Sequence, residues 1–462
     1  SKIFAYSLYS RSPSAYNYLR NIFPFPSEST LYKTFSSKLK LHKDILTDLS
    51  NTKVRFDMQK KVYNLDDEKI ECVLAVDAFA GTVLHRINED INHKDTEKHV
   101  FIFLVCPLDT KYKPFIIHLK AHKNGNADEE IDSAIKKIQT ISKNTNFPIK
   151  YIAVDGDKHY SHFFKDQFDK IFNVLNSLDN FNDLDNKINE LNLDFIFIGD
   201  PLHIWKNQKT RLQSGKIVTN PFNKCRSIQK DAINKILNLG PILTDTSQVS
   251  KMRDEFAVGL FNLDNSFKLL SKSTFENFFY IFLNGLWVEL LLNISISPST
   301  RLYLADILLR LFIEIYKNLK SNKLPNNVSF KKSSKNDFIT MFTLDKIERI
   351  LPTLASIRLE IAKGNEGLGL HRLGTHVLAN KIGTIRSLSF QNESAIKLIQ
   401  TAARHDFIKT LSKSNDEVKR TRLNQGGVRL TLGEEDIDFG ASSESIAMLL
   451  LAELHRCISM RY

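Results

Sequence analysis

The chain has 462 residues, of which 42% are hydrophobic and 25% are charged, and its formal net charge is +12. This length is too great for one ordinary core, so two or three domains are expected, and the composition is that of a soluble globular protein. The positive charge favours a polyanionic partner, usually nucleic acid. It does not distinguish DNA from RNA, and basic proteins without such a partner carry it too.

The cysteine pattern argues against a zinc site and against a disulfide framework, because the four residues are scattered and none forms a CxxC pair. They are Cys72, Cys106, Cys225 and Cys457. The first two fall in apolar runs and are predicted core residues, which fits a reducing intracellular compartment. No signal peptide opens the sequence. The sequence begins abruptly inside an apparent domain, so we expect a truncated piece.

One stretch, residues 278–294, is long and apolar, but Asn284, Glu289 and Asn293 interrupt it. Polar and charged side chains are costly in a lipid core. The stretch therefore predicts a buried helix rather than a membrane span, and no membrane partner is expected.

The first region, residues 1–65, is predicted to be a small helical segment. Residues 11–20 form a first helix, a proline-rich turn breaks it, and Ser29 or Thr30 can cap a second, basic helix over residues 31–39. The order of helix, tight break and basic helix is compatible with a helix-turn-helix. A plain helical hairpin gives the same pattern.

Next comes a regular alternation of strands and helices. The predicted strands are 71–78, 99–106, 114–122, 151–155 and 194–199, and the predicted helices between them are 128–142 and 159–178. The short polar connection after residue 106 suits an antiparallel hairpin, and the isoleucine spacing in 128–142 is helical. Three antiparallel strands followed by helix, strand, helix, strand is the order of the ribonuclease-H-like fold. We therefore predict an α/β protein with a mixed five-stranded sheet.

The sequence from about residue 205 to 370 is almost wholly helical in pattern, and an amphipathic helix returns at residues 378–387. We therefore predict a ribonuclease-H-like core that is interrupted by a large all-helical insertion. The expected domains are a helix-turn-helix-like segment at 1–65, the first part of the core at 66–204, the insertion at 205–370, the last part of the core at 371–420, and a C-terminal tail and helix at 421–462.

Acidic residues follow three of the apolar runs: Asp77, Asp155 and Asp200. The carboxyl ends of parallel strands meet at one edge of a sheet, where α/β proteins gather their chemistry. Carboxylates on neighbouring strands can hold Mg²⁺, which prefers oxygen ligands and leaves positions open for phosphate. A strand-end turn residue is the simpler explanation for any one of these acids.

Residues 200–207 (DPLHIWKN) place His203 close to Asp200, where it could orient a phosphate or a metal-bound water. The alternative is that Asp200 caps the next helix and His203 is a structural hydrogen-bond partner. Lys206, Lys209 and Arg211 form a basic helical face that suits a DNA backbone. The same face could simply be solvated.

Four segments together resemble the P-element-type DNA transposases, the family that includes the THAP-domain transposases of animals. Residues 12–20 together with 26–31 resemble the segment ahead of that family's catalytic domain, while Asp77 and the Val154-Asp155-Gly156 run match its first two catalytic acids. Residues 200–207 resemble its D-x-P/x-H-L-x-K-N signature. Residues 378–386 (LANKIGTIR) are similar to the pattern L-E-N-x-F-G-x-I-R.

The resemblance implies a DDE transposase and nuclease that cleaves and joins DNA in cut-and-paste transposition, with Asp77 and Asp155 holding Mg²⁺ or Mn²⁺. It also implies double-stranded DNA ends and target as partners, a homodimer or larger homo-oligomer, and a nuclear location. Arg386 would join Lys206 and Arg211 in contacting the DNA backbone. The family carries a guanine-nucleotide site in its inserted domain, so GTP is a further implication, although no segment of the chain has the pattern of a nucleotide pocket.

The chain departs from the family at the third acid, where Ala379 stands in place of the expected Glu. A methyl group cannot ligate metal, so the chain is expected to cleave DNA poorly or not at all. Two explanations are open: an engineered inactive variant, or a domesticated, catalytically dead descendant that binds DNA. Glu393 could replace the missing Glu as a ligand. A predicted break in the helix after residue 388 argues against this role, because Glu393 would have to lie on the same helix. The rival functions are another ribonuclease-H-like nuclease and a nucleotide-binding regulator.

Overall fold

The computed structural model describes residues 2–80, 99–122, 127–154, 161–213, 217–219, 227–245, 247, 254–270, 272–293, 296–321, 338–340, 343–364, 372–388 and 395–411. All of these residues belong to one compact unit that spans residues 1–420.

The centre of this unit is a mixed sheet of five strands. They are β1 (Cys72–Ala80), β2 (His99–Pro107), β3 (Phe115–His122), β4 (Ile149–Val154) and β5 (Ile196–Gly199). Their order is β3-β2-β1-β4-β5. β1, β2 and β3 pair antiparallel, while β4 pairs parallel with β1 and with β5. This is the predicted α/β topology of the ribonuclease-H-like fold, which the structure confirms.

The sheet forms because its strands are apolar runs that are buried by helices. Leu74 and Val76 on β1 pack in one cluster with Ile135 and Ile138 of α5 (Ala127–Ser142). The regular spacing of the apolar residues along α5 aligns them on the side that faces the sheet. Cys72 and Cys106 are buried free thiols, as predicted. Burial raises the pKa of Cys106 to about 12.

Four helices precede the sheet: α1 (Lys2–Arg11), α2 (Pro13–Arg20), α3 (Glu28–Thr47) and α4 (Thr52–Tyr63). The second predicted helix is longer than expected, and its predicted caps are wrong. Ser27 is the cap of α3, since its hydroxyl accepts the Thr30 N–H at 3.2 Å. α3 extends to Thr47 because its later turns are buried, in part against Phe407 near the other end of the unit. The helix-turn-helix alternative stays a prediction.

The region after β4 is mainly helical. Its helices are α6 (Ser161–Ser177), α7 (Leu184–Glu190), α8 (Pro201–Gln213), α9 (Lys230–Leu237), α10 (Pro241–Thr244), α11 (Asp254–Leu260), α12 (Leu263–Leu270), α13 (Phe275–Leu292), α14 (Pro298–Lys320) and α15 (Leu344–Ala362). The expectation of an all-helical insertion is wrong in one respect. A small sheet contains β6 (Ile217–Thr219), β7 (Ser227–Ile228) and β8 (Phe338–Thr340), in the order β7-β6-β8. Strands of two or three residues are too short to show alternation in the sequence.

Helix α13 is the one element of the described part that is long and apolar enough to cross a membrane. However, 94% of that window is buried inside the protein, as predicted for a core helix. Trp287 on α13 packs edge-on against Trp205 of α8, with ring centroids 5.7 Å apart.

Helix α15 packs directly on the five-stranded sheet, although it was expected in the insertion. Thr353 accepts the N–H of Gly199 at 2.9 Å, and the Tyr151 hydroxyl donates to Glu360, which also accepts from Lys150 at 2.9 Å. A Cβ at residue 199 would lie 3.0 Å from the Cβ of Arg349, so a larger residue there would push α15 away by a few tenths of an ångström. The proposed domain boundaries themselves stay a prediction.

Two helices close the described part: α16 (His376–Leu388) and α17 (Ala395–Leu411). α16 packs against β1 and β2, and α17 packs against α3 and β3. The first and last helical segments among the described residues of the unit therefore meet.

Side chains cover backbone groups at both edges of the five-stranded sheet. On edge strand β3, the Ile116 N–H donates to Asp406 at 3.2 Å and the Ile116 carbonyl accepts from Arg55 at 2.9 Å. On edge strand β5, Gln167 of α6 accepts the Phe197 N–H at 3.1 Å and donates to the Phe195 carbonyl at 2.9 Å. Such covering prevents an exposed edge from pairing with another chain.

Candidate active site at the sheet edge

The residues that precede the three predicted acids in the sequence stand at one level of the sheet. Val76 on β1 pairs with Val154 on β4, and Val154 pairs with Gly199 on β5. Asp77 and Asp200 directly follow the outer two of these residues. Asp155 follows Val154 in the sequence but lies outside the described residues.

Asp77 is half-buried and lies within β1, opposite Ile102 of β2. Its carboxylate accepts the N–H of Ala78 at 2.7 Å. β1 continues to Ala80, beyond the predicted end at residue 78. Asp77 is therefore a half-buried carboxylate at the carboxyl side of a central strand, where oxygen ligands for Mg²⁺ are expected.

Asp200 is buried and joins two helices. One of its carboxylate oxygens accepts the Leu202 N–H at 3.1 Å, and its carbonyl accepts the Ile204 N–H at 3.1 Å, so it caps α8. The other carboxylate oxygen accepts the hydroxyl of Thr375 at 2.7 Å. Of the two interpretations that the sequence allowed, the structure describes the helix cap. An accessory role for Asp200 or for His203, which is half-buried in the first turn of α8, stays a prediction.

Residue 379 lies in the first turns of α16, and its N–H donates to the carbonyl of Thr375 at 2.8 Å. Its neighbours Leu378 and Ile382 are buried, whereas Ala379 is exposed. Gly374 lets this segment approach α8, because a Cβ there would lie 3.2 Å from Pro201 and 3.4 Å from a carboxylate oxygen of Asp200. The helix packs on β1, and the side of the turn that carries Ala379 is open to solvent.

Among the described residues, the donor set at this edge is incomplete. Asp77 supplies carboxylate oxygens, which Mg²⁺ prefers, and Ala379 supplies none. Among the described residues, no group of three or more His, Cys, Asp or Glu side chains is arranged to hold a metal ion. Asp155 and Glu393 are not among them.

A buried carboxylate that the sequence analysis missed lies behind α16. Asp406 of α17 accepts from Arg55 at 2.7 Å, from Lys381 at 3.0 Å and from His42 at 3.2 Å. Burial alone would raise the pKa of Asp406, but Lys381, Arg55 and His42 hold it well below its usual value of 3.8. Lys381 is two positions from residue 379, so this network reaches the helix of the candidate site.

The structure separates the three cations of the predicted basic face of α8 by burial. Lys209 is fully buried, and its ammonium group lies 5.3 Å from the centre of the Phe256 ring. The expectation that Lys209 lies on an exposed face is therefore wrong, because its side chain is buried. Lys206 and Arg211 are half-buried and reach the surface. Arg386 lies on α16, and its contact with DNA stays a prediction.

The described strands and helices define an α/β protein with a ribonuclease-H-like sheet and a candidate site at one edge. No family model matches the sequence, and no curated protein matches it. Among solved structures, the fold is similar to a chain of the Drosophila P element transposase strand transfer complex, with a TM-score of 0.60 and 14% sequence identity. The match covers 91% of this chain and 92% of that chain. At this identity the likeness establishes the fold alone.

Proposed function

We propose that this protein is a transposase-type DNA-binding protein whose strand-cleaving site is disabled at its third acid position. The observation that carries the proposal is the register Val76–Val154–Gly199, which aligns the residues before Asp77, Asp155 and Asp200 at one sheet edge. Helix α16 packs beside β1 and carries Ala379. A likeness of fold across nine tenths of both chains, to a DNA transposase complex, supports the same class.

Asp77 and Asp155 would hold the divalent metal, with Mg²⁺ or Mn²⁺ as the expected ion. A bound ion would polarise the phosphodiester and lower the pKa of its water. The half-buried position of Asp77 fixes one carboxylate at the strand, and the Asp200–Thr375 contact fixes the start of the neighbouring helix. The missing group is a carboxylate at 379.

Double-stranded DNA is the proposed partner. The formal net charge of +12 supports attraction to a polyanion, and Lys206 and Arg211 are surface cations on the helix that follows the site strand β5. A nuclear location and a homodimer or larger assembly that pairs two DNA ends belong to the same proposal.

The test is plasmid nicking in Mg²⁺ or Mn²⁺ by this chain and by Ala379→Glu. We expect metal-dependent nicking from the Glu variant and only background from the Ala chain, because the variant restores the third oxygen ligand. Adding Asp77→Asn to Ala379→Glu should return nicking to background. Asp132→Asn, at a half-buried carboxylate paired with Lys136 on α5, is the matched control and should change nothing.

Equal nicking by the Ala and Glu chains would contradict the assignment of position 379. Ala379 also favours a second candidate, a catalytically dead DNA-binding descendant. In that case, Ala379→Glu would remain inactive even with transposon-end DNA, while DNA binding would persist.

A further inference from the structure

Residues 1–47, which contain helices α1 to α3, are rich in both aromatic and basic residues. Nine of them are aromatic, about a fifth of the segment, compared with 10% of the whole chain. They include seven Lys or Arg residues and two acids, so the formal net charge of the segment is +5, out of +12 for all 462 residues. This concentration of positive charge favours a polyanionic partner for the segment itself.

Three phenylalanines of this segment form an aromatic cluster at the surface. The ring centroid of Phe25 lies 6.1 Å from that of Phe4 and 5.9 Å from that of Phe23. Phe25 also stacks on the buried ring of Tyr16, with centroids 5.7 Å apart. Phe4 and Phe23 are 59% and 50% exposed. Exposed apolar groups that lie together mark an interaction surface more often than scattered ones do.

The backbone that carries the cluster is stiff. Pro24 and Pro26 flank Phe25, and each proline ring fixes its own backbone dihedral φ. The N–H of Phe23 donates to the carbonyl of Leu19 at 2.8 Å, and the N–H of Phe25 donates to the carbonyl of Phe23 at 2.7 Å. Rings on a fixed backbone lose little conformational freedom when a ligand binds, so the cluster is preorganised for contact.

Two exposed arginines lie near the base of the cluster. Burial raises the pKa of Tyr16, and the charge of Arg20 opposes this shift, which places the guanidinium near that hydroxyl. Burial likewise raises the pKa of Tyr9, and Arg404 of α17 opposes that shift. The rings of Tyr9 and Tyr16 are 5.4 Å apart. Cations from two separate helices therefore surround the same group of rings.

Helix α3 extends the mixture of rings and cations. Tyr32 is 72% exposed, and Lys33 and Lys40 are exposed and about two turns apart on the same face of the helix. The two acids of the segment do not cancel this charge. Glu28 is half-buried and accepts the hydroxyl of Tyr9 at 3.2 Å, and Asp44 lies in the last turn of α3.

This combination of features distinguishes among possible occupants. The core of an interface between proteins is depleted of lysine. Double-stranded DNA offers phosphates, but its base faces are stacked inside the duplex. An unpaired strand offers both phosphates and base faces, and proteins that bind single strands combine a basic surface with exposed aromatic rings.

We propose that the aromatic cluster of Phe4, Phe23 and Phe25, with Arg20 beside it, is a binding site for an unpaired nucleic-acid strand. Bases stack on the exposed rings, and the cations contact phosphates. The proposal goes beyond the proposed function, which concerns duplex DNA and the sheet edge, and it does not depend on residue 379. It assigns the N-terminal helices a ligand of their own.

The test measures fluorescence anisotropy of a labelled single strand of about 16 nucleotides and of the duplex of the same sequence. The full chain should bind the single strand, and Phe23→Ala should weaken this binding by about 5- to 150-fold, the loss of one stacked base, without changing duplex affinity. Phe23→Leu, which keeps apolar bulk but has no aromatic face, should weaken it similarly. Phe23→Trp should retain it. Tyr303→Ala, at a 43% exposed ring on α14, is the matched control and should change nothing.

Arg20→Gln gives an independent result, because it should reduce the slope of log affinity against log salt for the single strand by about 0.7. Thermal unfolding shows whether each variant is folded. If folded Phe23→Ala and Phe23→Leu chains bind the single strand as the parent does, the proposal is refuted while the proposed function stands. Equal losses of single-strand and duplex affinity would also refute it, because stacking requires unpaired bases.

Sedimentation of the same variants tests a second copy of the chain as the occupant. If Phe23→Ala abolishes self-association and leaves single-strand affinity unchanged, the rings belong to a contact between copies and the proposal is refuted. A failure of Ala379→Glu to nick DNA would contradict the proposed catalytic site and would leave these binding results as they are.

Discussion

The ammonium group of Lys381 lies 3.0 Å from a carboxylate oxygen of Asp406, and both side chains are buried, with exposed fractions of 7% and 3%. Lys381 belongs to the helix of the candidate site, while Asp406 belongs to the helix that packs on the N-terminal segment. Since Arg55 and His42 bind the same carboxylate, one buried acid connects the start of the unit, its edge strand and its site helix.

Asp406→Asn should destabilise the protein strongly. The substitution keeps the shape of the side chain but leaves Arg55 and Lys381 buried without a counter-charge, and breaking a buried ion pair commonly costs about 3–5 kcal/mol. Urea unfolding near neutral pH measures the change. Asp132→Asn, at an exposed pair on α5, should change the free energy of unfolding by no more than about 0.5 kcal/mol.

The effect of Asp406 should also depend on pH. Its pKa is held below the usual 3.8 in the folded protein, so its contribution is present above that value and is lost as the pH falls through the folded pKa. The stability difference between the parent and Asp406→Asn should therefore shrink in acid. A difference that is unchanged in strong acid would contradict the ion-pair account.

His118 should make stability fall at mildly acidic pH. It is buried on β3 beside Phe103, and burial lowers its pKa from 6.5 to about 4. The unfolded chain binds the proton more readily, so the contribution of neutral His118 is complete above pH 6.5 and is lost as the pH falls towards 4. The shift corresponds to about 3 kcal/mol.

Unfolding of the parent and of His118→Gln across this pH range tests the prediction, and the variant should show the weaker pH dependence. Nuclear magnetic resonance gives the direct measurement, with a His118 midpoint expected near 4. A midpoint near 6.5 would show that the imidazole is not buried in its neutral form.

Substitutions of Lys206 and Lys209 should differ in their effect on DNA binding, because only the Lys206 substitution should weaken it. Lys206 reaches the surface, so Lys206→Ala should weaken binding to any duplex and reduce the slope of log affinity against log salt by about one. Lys209 is buried over Phe256, so Lys209→Met should leave that slope unchanged and act on stability instead. The reverse result would place the DNA elsewhere than on α8.

The sheet could be predicted because each strand is an apolar run with a clear end, and the parallel pairing of β4 with β1 and β5 follows from the intervening helices. The buried side of α8 could not be predicted in this way, since the helix buries the polar residues Gln208 and Lys209 as well as Trp205. Polar residues give no apolar periodicity, so Lys209 has the sequence pattern of a surface cation.

Asp406 was missed for a related reason. Asp406 is a single acid between His405 and Phe407 in an amphipathic helix, and this local pattern does not indicate a buried ion pair. Its partners Arg55 and His42 lie far away in the sequence. Arg55 is 351 residues from it. Pairings over such a distance depend on the tertiary fold, which local patterns do not encode.

The covered edges of the sheet have a consequence for synthesis of the chain. Edge strand β3 is complete at His122, but the carboxylate that accepts the Ile116 N–H belongs to residue 406. A nascent or proteolysed chain that stops before Asp406 retains the strand without its cover, and an uncovered edge can pair with a second chain. Synthesis of the sheet without the helix that carries Asp406 therefore leaves this edge open to pairing with another chain.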